Sequence, residues 1–222
     1  MVAAGSGHRF GGRKQFCELA GRPLAAWSVA AARAATDGTV LVVPAAESPL
    51  DRAADGGDAG PPQWSDFGAD RVVTGGTTRA ASVRAGLAAV PDDAAIVVVH
   101  DAVRPLAGTW LFEAVIDAVR SGAGAGAVPT LAVADTLKRV RDGVVAETVD
   151  REGVVAVQTP QAFEAAALRR AHGEGVDATD DAGLLERLGA SVCTVTGDPR
   201  NVKVTRKEDL ELAAALVAAG PG

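Results

Sequence analysis

Short runs of β-branched residues alternate along the chain with longer stretches of helical spacing. Thr39–Val43, Arg71–Thr74, Ala95–His100, Gly126–Pro129 and Ser191–Val195 read as strands. Pro23–Ala35, Arg79–Ala89, Thr109–Arg120, Phe163–His172, Asp180–Leu188 and Arg206–Ala218 carry apolar residues at helical intervals or good helix formers. The alternation predicts an α/β fold, a mostly parallel sheet with helices on both faces, and ligands on such sheets bind outside the carboxyl ends of the strands.

Local signals sharpen these elements. Pro23 suits a first helical turn, and Thr205-Arg206-Lys207-Glu208 reads as a capping box ahead of Leu210, Ala213, Ala214 and Val217. The stretch Ala45–Asp70, with Gly56-Gly57 and Gly60-Pro61-Pro62, has little periodicity and reads as a surface excursion. Leu131–Arg139, Val144–Val149 and Val154–Thr159 break the rhythm, alternating in β fashion around the hairpin signal Asp142-Gly143. A single domain over 1–222, with a β-arm inserted at about 131–159, is the expected organisation.

Composition adds exclusions. With 48% apolar and 23% charged residues the chain is ordinary for a globular protein, and a net charge of −6 argues against a general nucleic-acid surface. The start Met-Val-Ala-Ala-Gly has no apolar signal core, and Ile96–Val99 is too short to span a bilayer, so a cytoplasmic protein without a membrane partner is expected. Cys17 and Cys193 show no metal spacing, and His8, His100 and His172 are scattered.

The chemistry concentrates at the beginning. Gly5, Gly7, Gly11 and Gly12 lie among Ser6, Arg9, Arg13 and Lys14, a loop whose amides can converge on phosphate oxygens while the cations add charge. The dinucleotide fingerprint fails because Phe10 stands at its sixth position. The P-loop fails because Arg13 follows Gly12 and no magnesium-binding hydroxyl comes after. Gly75-Gly76-x-x-Arg79-x-x-Ser82 places an arginine and a hydroxyl in a first helical turn. The run Ile96–Val99 ends in His100-Asp101-Ala102-Val103-Arg104-Pro105, which sets one carboxylate at the sheet's carboxyl edge, where a hard cation bound to phosphates would want it. His100 neighbours Asp101 on an alternating strand and reads as structural.

Ala3-Ala4-Gly5-Ser6-Gly7-x-Arg9, then Lys14-Gln15-Phe16, then Leu19-x-Gly21-x-Pro23-Leu24, resemble the signature of nucleotidyltransferases of nucleotide-sugar type, with a Rossmann-like fold. The chain is most similar to the 2-C-methyl-D-erythritol 4-phosphate cytidylyltransferase family. The resemblance covers Ala3 to Asp209 and implies a CTP site of Ala3, Ala4, Gly5, Ser6, Gly7, Lys14, Gly75, Gly76, Arg79, Ser82, Asp101 and Ala102. It implies an acceptor site of Arg104, Thr136, Arg151, Thr159, Thr179 and Lys203, with Arg9, Lys14, Arg151 and Lys203 catalytic. Thr179 also suits a helix N-cap. Asp101 would hold Mg²⁺ or another divalent cation, and the arm would embrace a second subunit in a homodimer. Three departures stand out: Thr77 where an acidic residue is frequent, a shortened loop with Arg13 where proline is common, and a first strand cut to Met1–Ala4.

The implied reaction is transfer of CMP from CTP to a polyol phosphate in the methylerythritol phosphate pathway. Ribitol 5-phosphate as acceptor, and a nucleotide-binding relative without turnover, are the alternative readings. A dinucleotide oxidoreductase is disfavoured by Phe10.

Overall fold

The computed structural model describes residues 1–5, 10, 14–44, 67–173 and 178–220. A 3-10 turn, Lys14–Phe16, and the small hairpin β1 (Glu18–Leu19) and β2 (Arg22–Pro23) lead into α1 (Leu24–Ala35). β3 (Val40–Val43), β4 (Arg71–Thr74), α2 (Arg79–Leu87), β5 (Ile96–Val99), α3 (Thr109–Arg120) and β6 (Gly126–Ala132) follow. Then come β7 (Leu137–Arg141), β8 (Val144–Val149), β9 (Val155–Val157), β10 (Gln161–Glu164), α4 (Ala165–Gly173), α5 (Asp181–Arg187), β11 (Val192–Thr196) and α6 (Lys207–Ala218).

The sheet is held together in the middle by the chain's first residues. Val2 bridges Val42 and Asp101 in parallel, its N–H donating to the His100 carbonyl (2.8 Å) and its carbonyl accepting from Ala102 (3.0 Å). On one side β3 pairs with β4 in parallel; on the other the order runs β5, β10, β6, β11, with β9 added to β6. β6 and β11 are parallel, as expected, but β10 lies antiparallel to both β5 and β6. The helix expected over Phe163–His172 therefore begins two residues later, at Ala165, and Phe163 belongs to a strand. Its ring is fully buried beside Val97, Val99 and Val128, so tertiary packing overrides the helical spacing of the segment.

Alternation along the strands sends side chains to two cores, as a sheet covered on both faces requires. Val97, Val99, Val128 and Phe163 pack with α2, α4 and α5, whereas Ala127 and Ala162, with half-buried Ile96 and Val98, meet α3. α3 shows why the pattern is readable: Leu111, Phe112, Val115, Ile116 and Val119 share one helix face, and all are buried.

β7 and β8 form a separate two-stranded sheet, joined by Asp142 (φ +50°) and Gly143 (φ +79°), the left-handed pair that a tight hairpin needs. The strand expected over Leu131–Arg139 is interrupted, its first residues extending β6 and its last forming β7. Two helix starts shift. Pro23 is the N-cap of α1 rather than a first-turn residue. At α6 the box moves one residue along: Asp209, not Glu208, accepts from the Thr205 and Arg206 amides at 2.7 and 2.8 Å. No helix among the described residues is long and apolar enough to cross a membrane.

Candidate functional site

β5 carries its apolar run to the edge of the sheet, and Asp101 is the first residue beyond His100 there. Its carboxylate is almost buried, and two cations reach it from distant elements. Lys203 Nζ lies 2.6 Å from Oδ2, and Arg79 Nε lies 3.7 Å from Oδ1. Burial by itself would raise the acid's pKa; Lys203 first and Arg79 second override it and hold the carboxyl at about 2. Asp101 is thus a fixed anion throughout the physiological range.

Lys203 is placed by a pinned loop. Gln158, buried, donates through Nε2 to the Asp198 carbonyl (2.9 Å) and accepts from the Asp198 amide (3.0 Å). Buried Asn201 donates to the Thr159 carbonyl (2.8 Å), and Arg104 donates to the Asn201 carbonyl (2.8 Å). The Val204 amide closes the array on the Val103 carbonyl at 2.9 Å. From this pinned loop the Lys203 side chain reaches Asp101 at the β5 terminus.

Arg79 opens α2, whose N-cap Thr78 accepts from the Ala81 amide. The turn before it is tightly folded: a Cβ at Gly75 would fall 2.7 Å from Ser82 Oγ and 2.8 Å from Ala4 Cβ, so glycine is required for the turn to approach the N-terminal segment. Ser82, buried, spends its hydroxyl on the Thr78 carbonyl (2.9 Å) and accepts from the Gly76 amide (3.2 Å). The guanidinium then extends between Asp101 and Asp181, NH1 lying 2.8 Å from Asp181 Oδ2.

The family model described as IspD, 2-C-methyl-D-erythritol 4-phosphate cytidylyltransferase, matches residues 1–219. The chain belongs to this family. It is 43% identical over 224 residues to the enzyme so named from Frankia casuarinae, covering 98% of this chain and 80% of the relative. It is 40% identical to that of a Synechococcus strain, covering 98% and 96%. The crystal structure of the cytidylyltransferase of this name from Thermus thermophilus superposes with a TM-score of 0.78 at 34% identity, covering 98% of this chain and 96% of that one.

Within this cytidylyltransferase family member, the structure gathers Asp101, Lys203, Arg79, Arg104 and Thr159 at one sheet edge, with Gly75 and Ala4 packed beside them. Ala3 is held in the sheet by Val42, and Gly5 is exposed. Ala102 contributes no free backbone group: its amide goes to Val2 and its carbonyl accepts from Ser28 Oγ at 3.1 Å. Lys14 is half-buried at the start of the 3-10 turn, anchored through Phe16, whose ring meets Phe67 at 5.8 Å between centroids. Ser6, Gly7, Arg9 and Arg13 lie outside the described residues. Thr136 and Arg151 sit together at the base of the hairpin, where Arg151 donates to the Val133 and Ala134 carbonyls. Neither makes a described contact with Asp101 or Lys203. The N-cap expected at Thr179 is Asp180, whose carboxylate accepts from the Gly183 amide at 3.0 Å, and Thr179 is exposed.

Thr159 is buried and fully engaged. The Arg104 carbonyl faces His100 Nε2 at 3.3 Å and can only accept, so Nε2 carries the proton and Nδ1 is bare. The Thr159 hydroxyl, 3.1 Å from Nδ1, donates to it, and Thr159 Oγ1 accepts the Asp101 amide at 3.1 Å. Its hydroxyl therefore orients the Asp101 backbone instead of being free to donate to a ligand. His100 is structural, as expected, and burial drives its pKa down to about 3. A histidine that stays neutral when folded but ionises near 6.5 when unfolded makes stability fall as pH drops from about 6.5 toward 3, by up to ~1.4 kcal/mol per pH unit. Denaturant midpoints between pH 5 and 7 should show that slope, and His100→Gln should flatten it.

Two buried groups of the site escaped sequence reasoning, Asp181 and His172. The signal for the first was two consecutive aspartates at a helix start, of which only one can cap.

Proposed function

We propose that this chain transfers CMP from CTP to 2-C-methyl-D-erythritol 4-phosphate, giving 4-diphosphocytidyl-2-C-methyl-D-erythritol and pyrophosphate in the non-mevalonate isoprenoid pathway. The observation that carries the reading is the cluster of Lys203 and Arg79 on Asp101 at the carboxyl end of β5, in a chain that matches the cytidylyltransferase family over residues 1–219.

An acceptor phosphate oxygen forms a bond to the α-phosphorus, the bond to the β-phosphate oxygen breaks, and pyrophosphate carries the electron pair away. No protein nucleophile is needed; alignment and compensation of charge do the work. Arg9 and Lys14 offset charge on the triphosphate, while Ala3, Ala4, Gly5, Ser6, Gly7 and Gly76 bind the nucleotide and Arg79 grips it. Lys203 and Arg104 hold the acceptor phosphate; burial lowers the Arg104 pKa against the pull of Asp101.

Mg²⁺ or another divalent cation fits the donor set. Magnesium takes one or two carboxylates and completes its shell with phosphate oxygens and water, and Asp101 is one carboxylate held ionised. Among the described residues no cluster of three acidic, histidine or cysteine ligands offers an all-protein cage. Asp101 would hold the ion, which when bound supplies neutralisation of phosphate charge.

The hairpin supports a homodimer. Val140, Val144, Val145, Val155 and Val157 are exposed on β7, β8 and β9, apolar side chains that a second copy could bury. Thr136 and Arg151, which make no described contact with Lys203, then serve the partner's acceptor site. Mixing inactive Arg151→Ala with inactive Lys203→Ala protein should restore roughly a quarter of wild-type activity through mixed dimers; no recovery would place Arg151 in its own subunit's chemistry or outside the site.

The decisive assay is pyrophosphate release from CTP and Mg²⁺, with methylerythritol 4-phosphate and ribitol 5-phosphate compared at equal concentration. Turnover with the first alone is expected. Preference for the second would reassign the acceptor, and CTP binding without turnover on either would make this a nucleotide-binding relative.

A further inference from the structure

Two interior ionisable side chains behind Arg79 have no part in the mechanism. Asp181 is the first residue of α5, and its side chain is 1% exposed; His172 lies in the last turn of α4 at 3%. His172 Nε2 sits 2.8 Å from Asp181 Oδ1. The carboxylate accepts, so Nε2 carries the proton, and Nδ1 has no hydrogen-bond partner among the described residues. The other oxygen, Oδ2, faces Arg79 NH1 at 2.8 Å as an ion pair rather than an aligned hydrogen bond. Asp180, the neighbouring aspartate, has a different task, capping α5 and accepting from Gln161 Nε2 at 2.9 Å.

We infer that Asp181, oriented by His172, is a positioning residue that holds the Arg79 guanidinium toward the nucleotide. The physical case rests on two observations. A charged carboxylate is seldom buried without a partner, and here the partners are one neutral-capable donor and one cation that extends into the site. Arg79 spans two carboxylates on different elements, so Asp101 can turn to other charges while Asp181 still restrains the guanidinium. The fold thus carries a line of contacts, His172 to Asp181 to Arg79 to Asp101, running from the core to the sheet edge. Asp181 and His172 touch no substrate; they act through Arg79.

The inference rests on the reading of Arg79 as a CTP-binding residue, and the test separates the two. CTP affinity is measured by calorimetry on the full chain, with kcat and KM alongside. Arg79→Gln should weaken CTP binding; if it does not, the reading of Arg79 fails. Asp181→Asn, which keeps the volume and removes the charge, should raise the Kd and KM for CTP by about ten- to a hundredfold. Turnover at saturating CTP should change less than about threefold, since the restraint serves binding. In the Arg79→Gln background the same change should add nothing, because its only route is through that guanidinium. His172→Leu should weaken CTP in the same direction, and His172→Gln, which restores a donor near Nε2, should recover most of the affinity. A purely structural role would lower thermal stability without this coupling. Unchanged CTP affinity in Asp181→Asn beside a weakened Arg79→Gln, or full additivity of the two, overturns the inference. If Asp181→Asn fails to fold, the His172→Leu and His172→Gln pair decides alone: equal CTP affinity in both overturns it.

Discussion

Lys14→Ala should lower kcat by roughly 10²–10⁴-fold, the range for losing a positioned charge that acts on the transition state. The side chain projects from the 3-10 turn Lys14–Phe16, which is anchored by the Phe16 ring against Phe67 and by the Cys17 amide donating to the Lys14 carbonyl at 2.9 Å. Truncation beyond Cβ leaves those backbone and ring contacts intact. Steady-state kinetics at saturating acceptor separates the possibilities. A fall in kcat places the ammonium on charge that grows as the bridging oxygen departs. A rise in the KM for CTP with kcat preserved would make Lys14 a uniform binder and remove it from the catalytic set.

Lys203→Ala should be equally severe, for a different reason. The substitution removes both the cation assigned to the acceptor phosphate and the closest partner of a nearly buried carboxylate. We expect kcat/KM for the acceptor to fall by about 10²–10⁴-fold while the Kd for CTP moves only a few-fold. The Asp101 carboxyl, held at about 2 chiefly by Lys203, should titrate at a higher pH in the variant. Because Gln158, Asn201 and Arg104 hold the loop through backbone groups that the substitution does not touch, the loop should keep its place. Loss of CTP affinity as large as the loss of acceptor affinity would show that Lys203 serves the nucleotide instead.

Much of the architecture is readable because its signals are local. The α3 face, the Asp142-Gly143 turn and the apolar run ending at Asp101 each follow from spacing and backbone preference within about ten residues. The errors share one origin. Phe163 looks helical by spacing and is a strand residue because Val97, Val99 and Val128 offer its ring a slot in the sheet. Thr179 and Asp180 are both acceptable caps by residue type, Asp the better, and which of them serves is set by the side chain the α5 amides face. The partners of Thr159 are equally out of reach of spacing: the resemblance assigns it to the acceptor, and the fold sets its hydroxyl against His100 and the Asp101 amide.

The sequence by itself determined the alternation of strands and helices, the glycine-rich start, the hairpin and the carboxylate at the end of β5, since each depends on neighbours along the chain. Only the tertiary structure decided that Lys203 and Arg79 converge on Asp101, that β10 runs antiparallel through the sheet, and that Asp181 and His172 stand behind Arg79. Ion pairs and buried hydrogen bonds form between groups the fold brings within about 3 Å. Their energy depends on that distance and on exclusion of water, neither of which a pattern of spacing along the chain encodes.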